Sequence, residues 1–145
     1  MSFKITGKIR DEALNAMKAQ LDGGYVRIYQ GTVPATTGAA VDSADLLVTI
    51  SESGTATGIN FDTAASGGVI SKASGEVWIG TIIKSGTATF YRFSPTGDAG
   101  GDDDTIPRLQ GTVGVINADL LLSDADLVLS DDQRIDYYSV GMPGE

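Results

Sequence analysis

Two adjacent glycines divide this sequence into unequal parts with different periodicities, and that division constrains the fold more than any other feature. Before Gly23-Gly24, Ile9, Ala13, Met17 and Leu21 recur every four residues with Leu14 beside them. That spacing lines one face of an α-helix over about residues 9–21. The glycine pair stops it, since glycine supplies the left-handed conformation of a helix C-terminus at little steric cost. Everything downstream reads as short strands and turns. Runs rich in β-branched, aromatic and aliphatic residues occupy 25–30, 46–51, 76–83, 87–93, 109–116, 119–122, 126–129 and 134–142, with shorter ones at 59–61 and 69–71. Clusters of Gly, Pro, Ser, Thr, Asn and Asp separate them, and 19 of the 145 residues are glycine, well above the usual ~7%. The pattern predicts a mainly β fold: an antiparallel β-sandwich or barrel with one N-terminal α-helix.

The clearest alternation runs through Val77, Ile79, Thr81 and Ile83 and resumes at Ala88, Phe90 and Arg92 after Lys84-Ser85-Gly86. A short loop containing glycine between two such runs predicts a hairpin. No composition shift marks a second domain. The chain divides into an N-terminal arm over residues 1–8 and one β-rich domain over 9–145. Phe3 and Ile5 are apolar residues ahead of the helix without an evident core partner, so the arm is expected to reach a neighbouring molecule.

The chain contains no cysteine and no histidine. It therefore cannot supply a thiol nucleophile, a Cys/His zinc site or a Ser-His-Asp triad. No enzyme activity and no cofactor are expected. The formal net charge is −9 and the ten basic residues are scattered singly, a poor match for phosphate or anionic lipid. Neither nucleic acid nor a membrane is an expected partner. No apolar run approaches the roughly 18 residues that span a bilayer, and Lys8, Arg10, Asp11 and Glu12 interrupt any signal-peptide core.

Asp98, Asp102, Asp103 and Asp104 crowd one glycine-rich segment. Four carboxylates in seven residues offer the oxygen ligands that calcium takes, but the spacing lacks the alternating acids, central glycine and closing glutamate of an EF-hand loop. The segment is expected to be a solvated, mobile connection, with calcium the minority reading and catalysis a poor fit. Asp124, Asp126, Asp131, Asp132 and Asp136 form a second acidic stretch that turn chemistry explains. Ser66-Gly67-Gly68 and the glycines at 97–101 lack the Lys-Ser/Thr of a phosphate-binding loop.

Among the aromatics, Tyr25 and Tyr29 share a strand face with Arg27 while Val26 and Ile28 take the other. Tyr25, Arg27 and Tyr29 are thus expected to be partly exposed and, with Phe3 and Ile5, to be candidate partner contacts. Tyr25, Tyr29 and Tyr91 could alternatively stack on sugar rings, which would make this a small carbohydrate- or receptor-binding module. Trp78 lies on a strand with apolar groups on both sides, as in a strand covered on both faces.

The helix followed by Leu21-Asp22-Gly23-Gly24-Tyr25-Val26-Arg27-Ile28-Tyr29-Gln30-Gly31-Thr32-Val33-Pro34-Ala35 and then Leu46-Leu47-Val48-Thr49-Ile50 resembles a family of small β-rich structural proteins of tailed bacteriophages, of the head decoration or cement kind. The resemblance continues through residues 85–93, Gln110-Gly111-Thr112-Val113-Gly114, Ala118-Asp119-Leu120 and the closing aromatic-rich strand. It implies a non-enzymatic virion component assembled in the host cytoplasm. The expected place is the outer capsid surface, with the major capsid protein as partner and a homo-oligomer, commonly a trimer, as the binding unit. Neck, collar or tail components are the alternative placement. The 97–104 loop looks expanded relative to the family's usual tight hairpin.

Overall fold

The computed structural model describes residues 3–142; Met1 and Ser2 of the expected arm lie outside the described residues, as do 143–145. The elements are α1 (Gly7–Leu21), β1 (Tyr25–Tyr29), β2 (Leu46–Glu52), β3 (Val69–Ser71), β4 (Trp78–Thr81), β5 (Gly86–Thr87), β6 (Phe90–Ser94), β7 (Leu109–Gly114), β8 (Leu120–Leu121), β9 (Asp126–Leu127), β10 (Asp132–Ile135) and β11 (Ser139–Gly141), with a short 3-10 turn at Ser43–Asp45. Seven strands form one sheet in the order β10-β4-β2-β1-β6-β7-β8, curved as a half-barrel. β11 with β3 and β5 with β9 make two small sheets. The protein is mainly β with one N-terminal helix, as the periodicities imply.

The large sheet is mixed rather than wholly antiparallel, because β7 and β8 run parallel. Asp119 causes this: its Oδ2 accepts from Thr112 N at 2.9 Å and Thr112 Oγ1 at 3.1 Å. Those bonds fold the 115–119 turn back on itself, with Asn117 at φ 53°, and set Leu120 beside Val113 in the same direction.

The expected hairpin between runs 76–83 and 87–93 does not form. β4 lies between β2 and β10, and β6 lies between β1 and β7. The connecting residues find other partners: Ile82 N donates to Asp131 O at 2.8 Å, Ile83 N to Leu47 O at 2.8 Å, and Ala88 N to Ala125 O at 2.8 Å. The run 87–93 therefore splits, with Thr87 in β5 against β9 and Phe90 onward in the main sheet. The run 134–142 also splits, into β10 and β11.

The helix buries Leu14 and Leu21 and packs Met17 against the core, but Ile9 is 55% exposed. Its inward face is therefore turned away from Ile9. The flank beside Leu14 grips the 65–68 loop, with Asp11 Oδ1 accepting from Gly68 N at 2.7 Å and Asn15 Oδ1 from Ala65 N at 2.8 Å. At the helix exit a Cβ on Gly24 would overlap the Ser94 carbonyl, so glycine permits the helix to deliver β1 flush against β6.

Inside the half-barrel, Val26, Ile28, Leu47, Ile50, Trp78 and Phe93 are all at most 1% exposed. Phe61 stacks on Phe93 at 5.1 Å between ring centroids, and the Trp78 ring meets the Phe93 ring edge-on at 6.0 Å. Trp78, Gly80 and Ile82 share the buried side of their run, while Ile79 opposite is half-buried.

Candidate functional site

All five residues of β6 are buried, so the sheet is covered on its outer face as well as its inner one. Tyr91 and Phe93 belong to the core cluster, and the alternation puts Phe90, Arg92 and Ser94 on the opposite side. Two loops meet over that side, one following β1 and one between β6 and β7. Arg108 joins them. Its Nε and Nη2 each meet a carboxylate oxygen of Asp98 at 2.8 Å, a two-point ion pair with side chains 1% and 3% exposed. The same guanidinium donates to Gly101 O at 2.7 Å and to Gly38 O at 3.2 Å. Val41 N to Gly100 O and Asp103 N to Gly38 O, each 2.9 Å, complete the seam between the loops.

Burial alone would raise the Asp98 carboxyl, but the bonds from Arg108 and the Gly100 amide outweigh it and hold the pKa at about 2. Asp103 is spent on its own turn, accepting from Thr105 N at 2.7 Å and Thr105 Oγ1 at 2.6 Å. These bonds hold its carboxyl below the usual carboxylate range. Among the described residues, Asp98, Asp102, Asp103 and Asp104 form no group arranged to hold a metal ion. The segment is a tethered cover rather than the mobile connection expected. Arg108, ten positions from Asp98, is the residue missed in the sequence.

Arg92 is the second arginine beneath these loops and is 2% exposed. It donates to Gln110 Oε1 at 2.9 Å and Thr36 O at 3.4 Å, while its Nη1 finds no partner. Burial, and then the neighbouring charge of Arg108, lower its pKa.

The candidate partner residues are dispersed. Phe3 is 88% exposed and Ile5 half-buried ahead of α1. The Tyr25 hydroxyl donates to Ala56 O at 2.7 Å, and Arg27 lies 5.4 Å from the Tyr25 ring centre while donating to Thr96 O at 2.8 Å. Tyr29 departs from the expectation of partial exposure. It is 5% exposed and stacks on Phe90 at 5.0 Å and 9°. It keeps the face it shares with Tyr25 and Arg27, paired in register with Phe90, and is buried because that outer face is covered. Tyr91 is buried too, its hydroxyl 2.7 Å from that of Tyr138. The stacking surface built from Tyr25, Tyr29 and Tyr91 is therefore not present.

Among the tyrosines the exposed ring is Tyr137, at 90%. It stands in a groove of about 410 Å³ where the two ends of the main sheet approach, with Ala118, Asp119 and Leu121 contributed near β8 and Arg134 and Asp136 from and after β10. Both acids have partners: Asp119 holds Thr112, and Asp136 Oδ1 accepts from Arg134 Nε at 2.9 Å. Other exposed aliphatics gather at Ile83, Val128 and Leu129, where Leu129 N donates to Ser85 Oγ at 2.8 Å, and at Val115 and Ile116 in the turn before β8. Compared with known proteins, the chain matches no family model, no curated protein and no solved structure.

Proposed function

We propose that this protein is a non-enzymatic structural subunit of a tailed-bacteriophage particle, acting as a decoration or cement protein that binds the assembled major capsid protein from outside. The observation that carries the reading is the distribution of exposed apolar side chains. They fall on separate segments: Phe3 and Ile9, then Ile83 with Val128 and Leu129, then Val115, Ile116, Leu121 and Tyr137. A subunit that bridges neighbours in a shell needs several modest contacts rather than one deep pocket, because simultaneous engagement multiplies weak affinities. Two polar features that could suggest chemistry serve packing instead: Asp98 is locked to Arg108, and Tyr91 to Tyr138. The sequence resemblance supplies the particle, and its placement at neck, collar or tail remains the alternative within the same class. Burial of Tyr29 and Tyr91 counts against the carbohydrate-binding reading.

The test is to add purified protein to phage heads lacking it and to sediment the mixture. Expected are saturable co-sedimentation at a copy number that scales with the capsid subunits, and heads that withstand a higher temperature before releasing DNA. Recovery with tails alone, or no co-sedimentation, would reject the capsid assignment.

A further inference from the structure

The main sheet ends in two unlike edges. β10 is charged, with Asp132, Arg134 and then Asp136 along it, and the Arg134 carbonyl accepts from Gln133 Nε2 at 2.8 Å. Such features discourage an incoming strand. β8 and its continuation are Leu120-Leu121-Leu122. Leu122 N donates to Gly114 O at 3.0 Å, so the alternation of a parallel ladder turns the Leu121 amide and carbonyl away from β7. Leu121 itself is 56% exposed and lines the groove with Tyr137.

We propose that this edge receives residues 3–6 of a second copy of the chain as an added strand, its apolar side chains seated against Leu121 and Tyr137. Three features of that segment fit the site. Phe3-Lys4-Ile5-Thr6 alternates apolar and polar residues with the period of a strand. It leads into the helix in extended conformation, Thr6 at φ −73° and ψ 163°, and leaves Phe3 88% exposed. Its charge complements the body: the first ten residues hold Lys4, Lys8 and Arg10 and no acid, leaving 19 acids against seven bases in the other 135. The receiving groove holds two acids, Asp119 and Asp136, against one base, Arg134, which pairs with Asp136 and leaves the groove net negative. Main-chain pairing supplies affinity in strand addition, and the alternate side chains supply specificity. An arm of one copy in the groove of the next is a heterologous contact, which closes into a ring when the rotation permits. The proposal requires no phage particle, so it stands or falls apart from the capsid assignment.

The absence of cysteine makes the test clean. Chains carrying Ile5→Cys and chains carrying Tyr137→Cys are mixed and mildly oxidised, with Ile5→Cys plus Gln20→Cys as the control pair. Expected is at least a tenfold excess of disulfide-linked pairs in the first mixture. In parallel, the unaltered chain should sediment as an oligomer, and the double variant Phe3→Asp/Ile5→Asp as a folded monomer with unchanged circular dichroism. A second route to the same outcome is Leu121→Lys, which blocks the groove from the other side. Equal cross-linking in the two mixtures overturns the proposal. So does a monomeric unaltered chain, or closure of the Ile5→Cys/Tyr137→Cys double variant into an internally linked monomer.

Discussion

Asp98 keeps its negative charge with almost no contact with water because Arg108 meets both of its oxygens. The consequence for stability follows from the pKa of about 2 in the folded chain against about 3.9 in an unfolded one. As pH falls, the unfolded chain takes up the proton first, so the stabilisation is complete above about pH 4 and lost as pH falls toward 2. Two pH units correspond to about 2.5 kcal/mol. Urea unfolding at stepped acid pH should show the unaltered chain losing about 2 kcal/mol more than Asp98→Asn across that window. The variant starts lower, by about 3–5 kcal/mol, because Arg108 is then a buried charge without its partner. Equal losses in both chains would mean that Asp98 titrates normally. The residues of this site were only half legible in the sequence. An acidic, glycine-rich stretch is visible, but whether its carboxylates face solvent, a cation or an arginine depends on where Arg108 lands. Tyr29 is the same case: alternation places it correctly on the face of Tyr25 and Arg27 but does not reveal the loops that cover that face and bury the ring against Phe90.

The strands themselves were legible because apolar runs and turn residues mark them locally, and α1 because its period is unique in the chain. Pairing was not legible. β4 and β6 each show a clean period of two, and the short glycine-containing loop after Ile83 favours joining them, yet each is an interior strand with two other neighbours. Period two states which face is buried, never which strand lies alongside. One residue does carry pairing information, and only in hindsight: Gly80, where a Cβ would overlap the Thr49 carbonyl and crowd Val48. A strand residue without a side chain lets the β2 backbone come close. Gly80→Val should therefore cost about 3 kcal/mol, as overpacking against backbone does, despite valine's better strand propensity. Denaturant unfolding of Gly80→Val against Gly75→Val checks this, since Gly75 has open space around its Cβ direction. Comparable stability of the two variants would show that β2 and β4 are not in this register.

At the scale of the whole molecule, one aromatic cluster joins pieces that the sheet topology leaves separate. Tyr138, between β10 and β11, lies 5.9 Å from Trp78 of β4, 5.6 Å from Tyr91 of β6 and 6.1 Å from Phe61, whose backbone bridges to Lys72 beside β3. The two wings of the half-barrel and the small β3–β11 sheet thus share one packed centre, and they should unfold together. Fluorescence of the single tryptophan and far-ultraviolet circular dichroism should report the same midpoint. The centre also sets an alkaline limit. Burial raises Tyr91 to about 12, with the Tyr138 hydroxyl bond acting in the opposite sense, and burial raises Tyr138 as well. Unfolded tyrosines ionise near 10. Below that pH neither state has lost a proton and the stabilisation is complete; between about 10 and 12 the unfolded chain ionises while the folded centre resists, so stability falls as pH rises. Tyr91 alone accounts for about 2–3 kcal/mol at the upper end of the window. Tyr91→Phe removes that dependence and leaves the Tyr138 hydroxyl without its partner, a cost of about 1–3 kcal/mol at neutral pH. The stability curves of the two chains should therefore converge as pH climbs past 10. Parallel curves would mean that the paired hydroxyls ionise as they do in the unfolded chain, and that water reaches the centre on which both wings depend.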